Sequence, residues 1–246
     1  MNLFTRYSVV YGLLILFPSG MLRSEVSLQD FSKVNGALIT THQPLVLKKY
    51  QSTMDLKEYY GDYGGAFKVD SARKPLGESR FVITLTGKTA QIDRMNMDGY
   101  AIVACHELGH VLGGYPLQKN AIDSWSSVEG QADWYATNQC MWTYVKIVNA
   151  TTLIRDFDRD FIARCDQAFH GDLEKIMGCL RIISGVQAMA DYFNRSLPVD
   201  KKVSLFAKDS RVVEKTLQRY PSDQCRVDTY MAGLFNSPRP RCWFSE

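Results

Sequence analysis

The sequence predicts a mostly helical α+β fold with a small sheet early in the chain, and three observations carry that prediction. The run Arg80-Phe81-Val82-Ile83-Thr84-Leu85-Thr86-Gly87 is β-branched and closed by a turn residue, the clearest strand in the chain. Residues 101–112 are apolar on almost every side, which reads as a buried helix. After Ser126, apolar residues recur mostly at helical spacing. With 246 residues, 46% apolar and 22% charged, the chain can bury one good core. Its net charge of +3 comes without any lysine or arginine block, so neither nucleic acid nor an anionic membrane surface is an expected partner.

Taken in order, the chain opens with Arg6, a short apolar run over residues 9–17, and Pro18-Ser19-Gly20. This pattern reads as a secretory signal peptide over residues 1–24, cleaved somewhere between 19 and 24. A buried N-terminal strand or helix is the alternative, since the run is short for a bilayer span. No later stretch is apolar enough to cross a membrane, so residues 25–246 are expected to form one exported domain, periplasmic or secreted. Six cysteines suit that compartment, and Cys225 with Cys242, close together in turn-rich sequence, form the best candidate disulfide. Cys105 reads as a buried thiol or a disulfide partner rather than a metal ligand.

Residues 25–79 show no clear pattern beyond a loop at Gly61-Asp62-Tyr63-Gly64-Gly65, and His42, beside Pro44, reads as a surface loop residue. The strand at 80–87 is either a sheet edge open to an extended peptide or an inner strand. The buried helix is expected to be capped by Asp98 and stopped by Gly113-Gly114. A linker over 115–125 leads to a second helix starting at Ser126 or Ser127 and running to about Val148. Helices follow at 158–168 and 173–194, then a loop or short strand at 196–209. A helix at 211–219 and a last one at 222–232, stopped by Gly233, precede an irregular tail.

The chemistry lies in His106-Glu107-x-x-His110. Positions i and i+4 of a helix share a face, so His106 and His110 can grip one metal ion while Glu107 reaches a water beside it. Eighteen residues separate His110 from Glu129, a spacing that lets the next helix supply a carboxylate as third ligand. Asp133, one turn further on, can accept the free ring N–H of a ligand histidine. Gly130 and Ala132 are small enough for the two helices to pack closely. A rival account makes Ser126-x-x-Glu129 a capping box and Asp133 a solvated helix residue, but it leaves their joint placement after the histidines unexplained. The metzincin extension is excluded, because the position where its third histidine falls is Pro116.

The form Glu129-Gly130-Gln131-Ala132-Asp133 resembles the CAAX-prenyl-protease and HtpX-like family of gluzincin metallopeptidases. A weaker likeness extends to Tyr220-Pro221 followed by Arg226, where the family has His-Pro and an arginine. The resemblance covers about residues 98–140 and 218–232. It implies a small zincin-like fold, Zn2+ held by His106, His110 and Glu129, and peptide-bond hydrolysis with Glu107 as general base. Candidate donors to the oxyanion are Tyr220, Arg226, Tyr230 and His170. Arg226 has a plainer alternative as a salt-bridge partner of Asp228 or another acid, and His170 as a loop residue. The expected partner is a peptide or protein substrate. The competing function is a zinc-stabilised exported binding or scaffold protein without turnover, which would have no need of Glu107. Zinc held through Cys105 is a poor third reading, because no Cys-x-x-Cys pair accompanies it.

Overall fold

The computed structural model describes residues 26–61, 70–148 and 158–246; the expected signal peptide and most of the Gly61–Gly65 loop lie outside them. The fold is α+β and mostly helical, as the sequence predicts. Helix α1 (Leu28–Tyr50) leads into strand β1 (Met54–Tyr59), β2 (Ser71–Arg73) and β3 (Phe81–Thr86), then the single turn α2 (Gly87–Ala90) and α3 (Met97–Leu112). Helix α4 (Glu129–Tyr135) continues through a π turn (Ala136–Cys140) into α5 (Met141–Ile147). The rest comprises α6 (Arg159–Phe169), α7 (Leu173–Asn194) and α8 (Asp223–Leu234), with a 3-10 turn at Val199–Lys201.

Helix α1 is the largest element that sequence reading misses. Its interior carries Gly36, Ile39-Thr40-Thr41 and Pro44, all poor helix formers. The helix forms because Phe31, Val34, Leu38 and Val46 are wholly buried along one face, and Ser27 caps its start. His42 lies inside this helix and is buried, its Nδ1–H donating to the Leu38 carbonyl, not in a surface loop.

The sheet order is β1-β3-β2, with β1 parallel and β2 antiparallel to β3. Strand β3 is therefore the inner strand, and the edge nearest the site belongs to β2. Phe81, Ile83 and Leu85 point into the core, so the alternate residues Val82 and Thr84 line the opposite face.

Helix α3 runs through the middle of the molecule against α1, α4 and α7. Only Met97, Val103 and Leu112 escape full burial along it. Its N-cap is Asn96, whose side chain accepts from Gly99 N, and not Asp98. Asp98 is instead consumed by Arg181 of α7. At Gly109 a Cβ would lie 2.7 Å from the Ala132 carbonyl oxygen, so the α3–α4 crossing requires glycine there. Gly130 makes room for the Trp243 indole rather than for α3.

Three disulfides form: Cys105–Cys140 and Cys165–Cys179 tie helices to one another, and Cys225–Cys242 ties α8 to the C-terminal tail. The expected Cys225–Cys242 pair forms, and Cys105 is a disulfide partner, not a thiol. Residues 211–219 are not helical. Val213 N and Leu217 N donate to the carbonyls of Arg241 and Trp243, so this segment lies along the C-terminal tail. Gly233 does not stop the last helix either, which runs on to Leu234 while Gly233 lets it approach Trp134 and Thr137. Ser222 caps that helix by accepting from Cys225 N.

Candidate metal centre and cleft

His106 and His110 lie one turn apart on α3, with ring centroids 4.7 Å apart. Each is fixed through its Nδ1. His106 Nδ1–H donates to Asp133 Oδ1 at 2.7 Å, and His110 Nδ1–H donates to the Ser127 carbonyl at 2.9 Å. Both Nε2 atoms therefore turn toward Glu129, whose Oε2 lies 3.2 Å from His106 Nε2 and 3.7 Å from His110 Nε2. That oxygen is buried with no hydrogen-bond partner. Three electron-pair donors, all within 4.8 Å of one another, face a common point. Ligands about 2.1 Å from a tetrahedral zinc stand roughly 3.4 Å apart, so the donor set and spacing fit such an ion. Among the described residues one other group brings metal-binding types together, Asp209 with Cys225 and Cys242. Those sulfurs are already joined in a disulfide, and Asp209 is bonded to Arg211 and Ser222.

The loop between α3 and α4 explains why the third donor arrives. Ser127 N donates to the His110 carbonyl and Val128 N to the Pro116 carbonyl, which folds the loop back over the end of α3. Helix α4 then starts at Glu129 with Val128 at its cap and no side-chain cap bond. The capping box of the rival account does not form, because the Ser126 hydroxyl turns to His110 Nδ1 and the Ser127 carbonyl.

Behind the histidines the polar contacts continue. Asp133 is wholly buried and takes a bidentate pair from Arg226, Nε to Oδ2 and Nη2 to Oδ1, each 2.8 Å. Arg226 Nη2 also donates to the buried Tyr230 hydroxyl at 3.1 Å. Arg226 is thus a salt-bridge partner as its plainer reading has it, but the acid is Asp133 and not Asp228, which accepts from Gln224 and Asp209 N. Burial favours a neutral Asp133, but Arg226 and His106 hold its carboxyl well below the usual range. Burial likewise opposes charge on His106, yet Asp133 and Glu129 raise it to about 10. Burial and the neighbouring His106 lower His110.

Glu107 projects beside this cluster, and burial pushes it up to about 8. It lines two cavities. The larger, about 810 Å³, lies between the outer face of the sheet and the loop around Gln118–Trp125, with His110 and Glu129 at its base. The smaller, about 240 Å³, is walled by Ile92, Val103, Met189 and Tyr192. Tyr220 lines both, and its ring lies 5.0 Å from the Arg226 guanidinium. His170 closes α6 in a left-handed conformation and lines neither cavity.

Two site residues carry no signal in the sequence. Asp70 faces both cavities and accepts from Thr86 N and the Thr89 hydroxyl at 2.6 and 2.5 Å, yet it stands in no motif. Ser127 acts through its backbone carbonyl, which any residue could supply. Comparison of the chain with protein-family models, with curated proteins and with solved structures finds no match.

Proposed function

We propose that this protein is an exported zinc-dependent peptidase of gluzincin type, a relative of the CAAX-prenyl-protease and HtpX-like family. The observation that carries this reading is Glu107. It is a buried carboxylate with no hydrogen bond or ion pair among the described residues, beside three converging donors and open to two cavities. A purely structural metal site would have no use for such a group, and it normally closes with four protein ligands.

Zinc would be held by His106 Nε2, His110 Nε2 and Glu129 Oε2, where it supplies a Lewis acid that acidifies water and polarises a carbonyl. Glu107 takes the proton of the attacking water and delivers it to the leaving amine. Asp133 and the Ser127 carbonyl keep both histidines in the tautomer that offers Nε2, and Arg226 fixes Asp133. Tyr220, at the position of the family's histidine, has an exposed ring and is the oxyanion donor among the candidates. Arg226 and Tyr230, engaged with Asp133 and with each other, are positioning residues. An extended substrate can lie along β2, an edge strand of the sheet among the described residues. Export is supported by the closure of all six cysteines in disulfides, with none left free. No helix among the described residues is long and apolar enough to cross a membrane.

The test is metal content and peptide cleavage in the wild type, Glu129→Ala and Glu107→Gln. About one zinc per chain is expected in the wild type and in Glu107→Gln, and a loosened zinc in Glu129→Ala. Cleavage should fall by roughly 10²- to 10⁴-fold in Glu107→Gln. Equal cleavage by wild type and Glu107→Gln would remove the general base from the reading.

A further inference from the structure

One wall of the larger cavity has a charge pattern that hydrolysis itself does not require. Lys57 of β1 pairs with Thr84, and Arg73 of β2 pairs with Val82, two residues along β3. Directly paired residues share a face, so Lys57 and Arg73 stand on the same outer face as Val82 and Thr84, away from the core. Lys74 follows at the end of β2, and all three cationic residues line the cavity and are exposed. Among the described residues, neither Lys57 nor Arg73 meets a carboxylate, while the Lys74 ammonium has only the Phe81 ring at 5.5 Å.

The acids nearby are otherwise engaged or stand elsewhere. Asp55, on the same sheet face, is paired with Arg80, and Asp70 is bonded by Thr86 and Thr89. Glu107 and Glu129 belong to the metal end of the cavity, and Asp123 lies on the facing loop. The cleft is therefore cationic along the sheet and acidic at its base.

We propose that this wall is a specificity subsite: Lys57 and Arg73 select peptides with acidic side chains on the sheet side of the scissile bond. The inference rests on the peptidase reading for its occupant, a peptide, but its charge logic is separate. Charge pairs at a partly solvated surface shift affinity several-fold each, so two should give a preference of about tenfold at low salt, shrinking as salt screens them.

The experiment measures binding of fluorescein-labelled peptides to the Glu107→Gln protein by anisotropy, with and without zinc. The probes are a glutamate-rich peptide and matched serine-rich and lysine-rich ones. The glutamate-rich peptide should bind tightest, and the double variant Lys57→Glu/Arg73→Glu should reverse that order. Lys201→Glu/Lys202→Glu, exposed residues that line neither cavity, makes the same change of net charge and should leave the order intact. Should the reversed pair fail to fold, Lys57→Gln/Arg73→Gln should abolish the preference without inverting it. Equal binding of the three peptides overturns the proposal, as does a preference weakened equally by the Lys201/Lys202 pair. Cleavage of the same peptides by the wild type separates the two readings. Charge-dependent binding without any cleavage would sink the peptidase and keep the subsite, whereas cleavage indifferent to charge would do the opposite.

Discussion

Two buried aspartate–arginine pairs brace the central helix, and only one of them is closed. Asp98, in the first turn of α3, accepts from Arg181 Nη2 at 2.6 Å and from its Nε at 3.4 Å, and Nη1 donates to the carbonyls of Val148 and Val145. Both carboxylate oxygens of Asp98 and the guanidinium of Arg181 are consumed by the fold, and only the neighbouring Tyr144 hydroxyl has no hydrogen-bond partner among the described residues. Asp133 takes Arg226 just as tightly, but its Oδ1 also accepts from His106. The chain of contacts then ends at His106 Nε2, His110 Nε2 and the orphaned Glu129 Oε2. A buried charge pair by itself marks packing. A polar network that runs out with its lone pairs facing one another marks a place for a ligand.

The largest expected effects test that contrast directly. Asp98→Asn and Asp133→Asn each leave a buried guanidinium without its counter-charge, which should cost about 3–5 kcal/mol in urea unfolding. Only Asp133→Asn should also weaken zinc binding, by roughly 10- to 100-fold in competition with a chelator. A similar loss of zinc in Asp98→Asn would erase the distinction. The disulfides allow a parallel comparison. Cys105–Cys140 spans 35 residues and Cys165–Cys179 spans 14, so replacing each pair by alanine should cost about 4 and about 3 kcal/mol by chain entropy. Cys105 adjoins His106, and Cys140 ends the π turn that follows Asp133. Zinc affinity should therefore drop with the first pair and hold with the second.

Acidity sharpens the same contrast in the metal-free protein. Asp133 and Glu129, outweighing burial, raise His106 to about 10, above its ordinary 6.5. The stability this contributes is fully present below pH 6.5 and lost as pH rises through about 10. Asp133, held low by Arg226 and His106 against burial, adds stability above the ordinary carboxylate range that is lost as pH falls through its lowered value. Unfolding free energy of the metal-free chain should therefore decline toward alkaline pH. Asp133→Asn should flatten that decline and Asp98→Asn should preserve it; an unchanged slope in Asp133→Asn would detach His106 from the network.

What the sequence reveals and what it hides divides along the range of the interactions. Helix α3, helix α7 and strand β3 are legible because periodicity is local, and His106, His110, Glu129 and Asp133 because their spacing fits two consecutive helices. Helix α1 is illegible because its propensities are poor and its burial decides. The helix expected at 211–219 fails because Val213 N and Leu217 N meet carbonyls of the tail, which no local pattern announces. Arg226 has its partner 93 residues away, while the nearer Asp228 is the obvious guess. The Ser126 capping box matches as a pattern, yet its hydroxyl is drawn to His110 and Ser127 instead. The sheet order, and with it the cationic wall, depends on a pairing register that a single sequence does not state.

The smallest expected effects separate two tyrosines that the sequence offers together as oxyanion donors. Tyr230 is wholly buried and its hydroxyl accepts from Arg226, so Tyr230→Phe removes a bond to a charged donor and should cost about 1.5–3 kcal/mol of stability. Tyr220 is 60% exposed and its ring stacks beside Arg226, a contact that phenylalanine keeps. Tyr220→Phe should therefore stay within about 0.5 kcal/mol of wild type in stability. If its hydroxyl meets the developing oxyanion, kcat should fall by about tenfold with KM little changed, the mark of an interaction made only in the transition state. A rise in KM at constant kcat would instead make Tyr220 a wall of the binding cleft, leaving the oxyanion to the metal and to backbone donors.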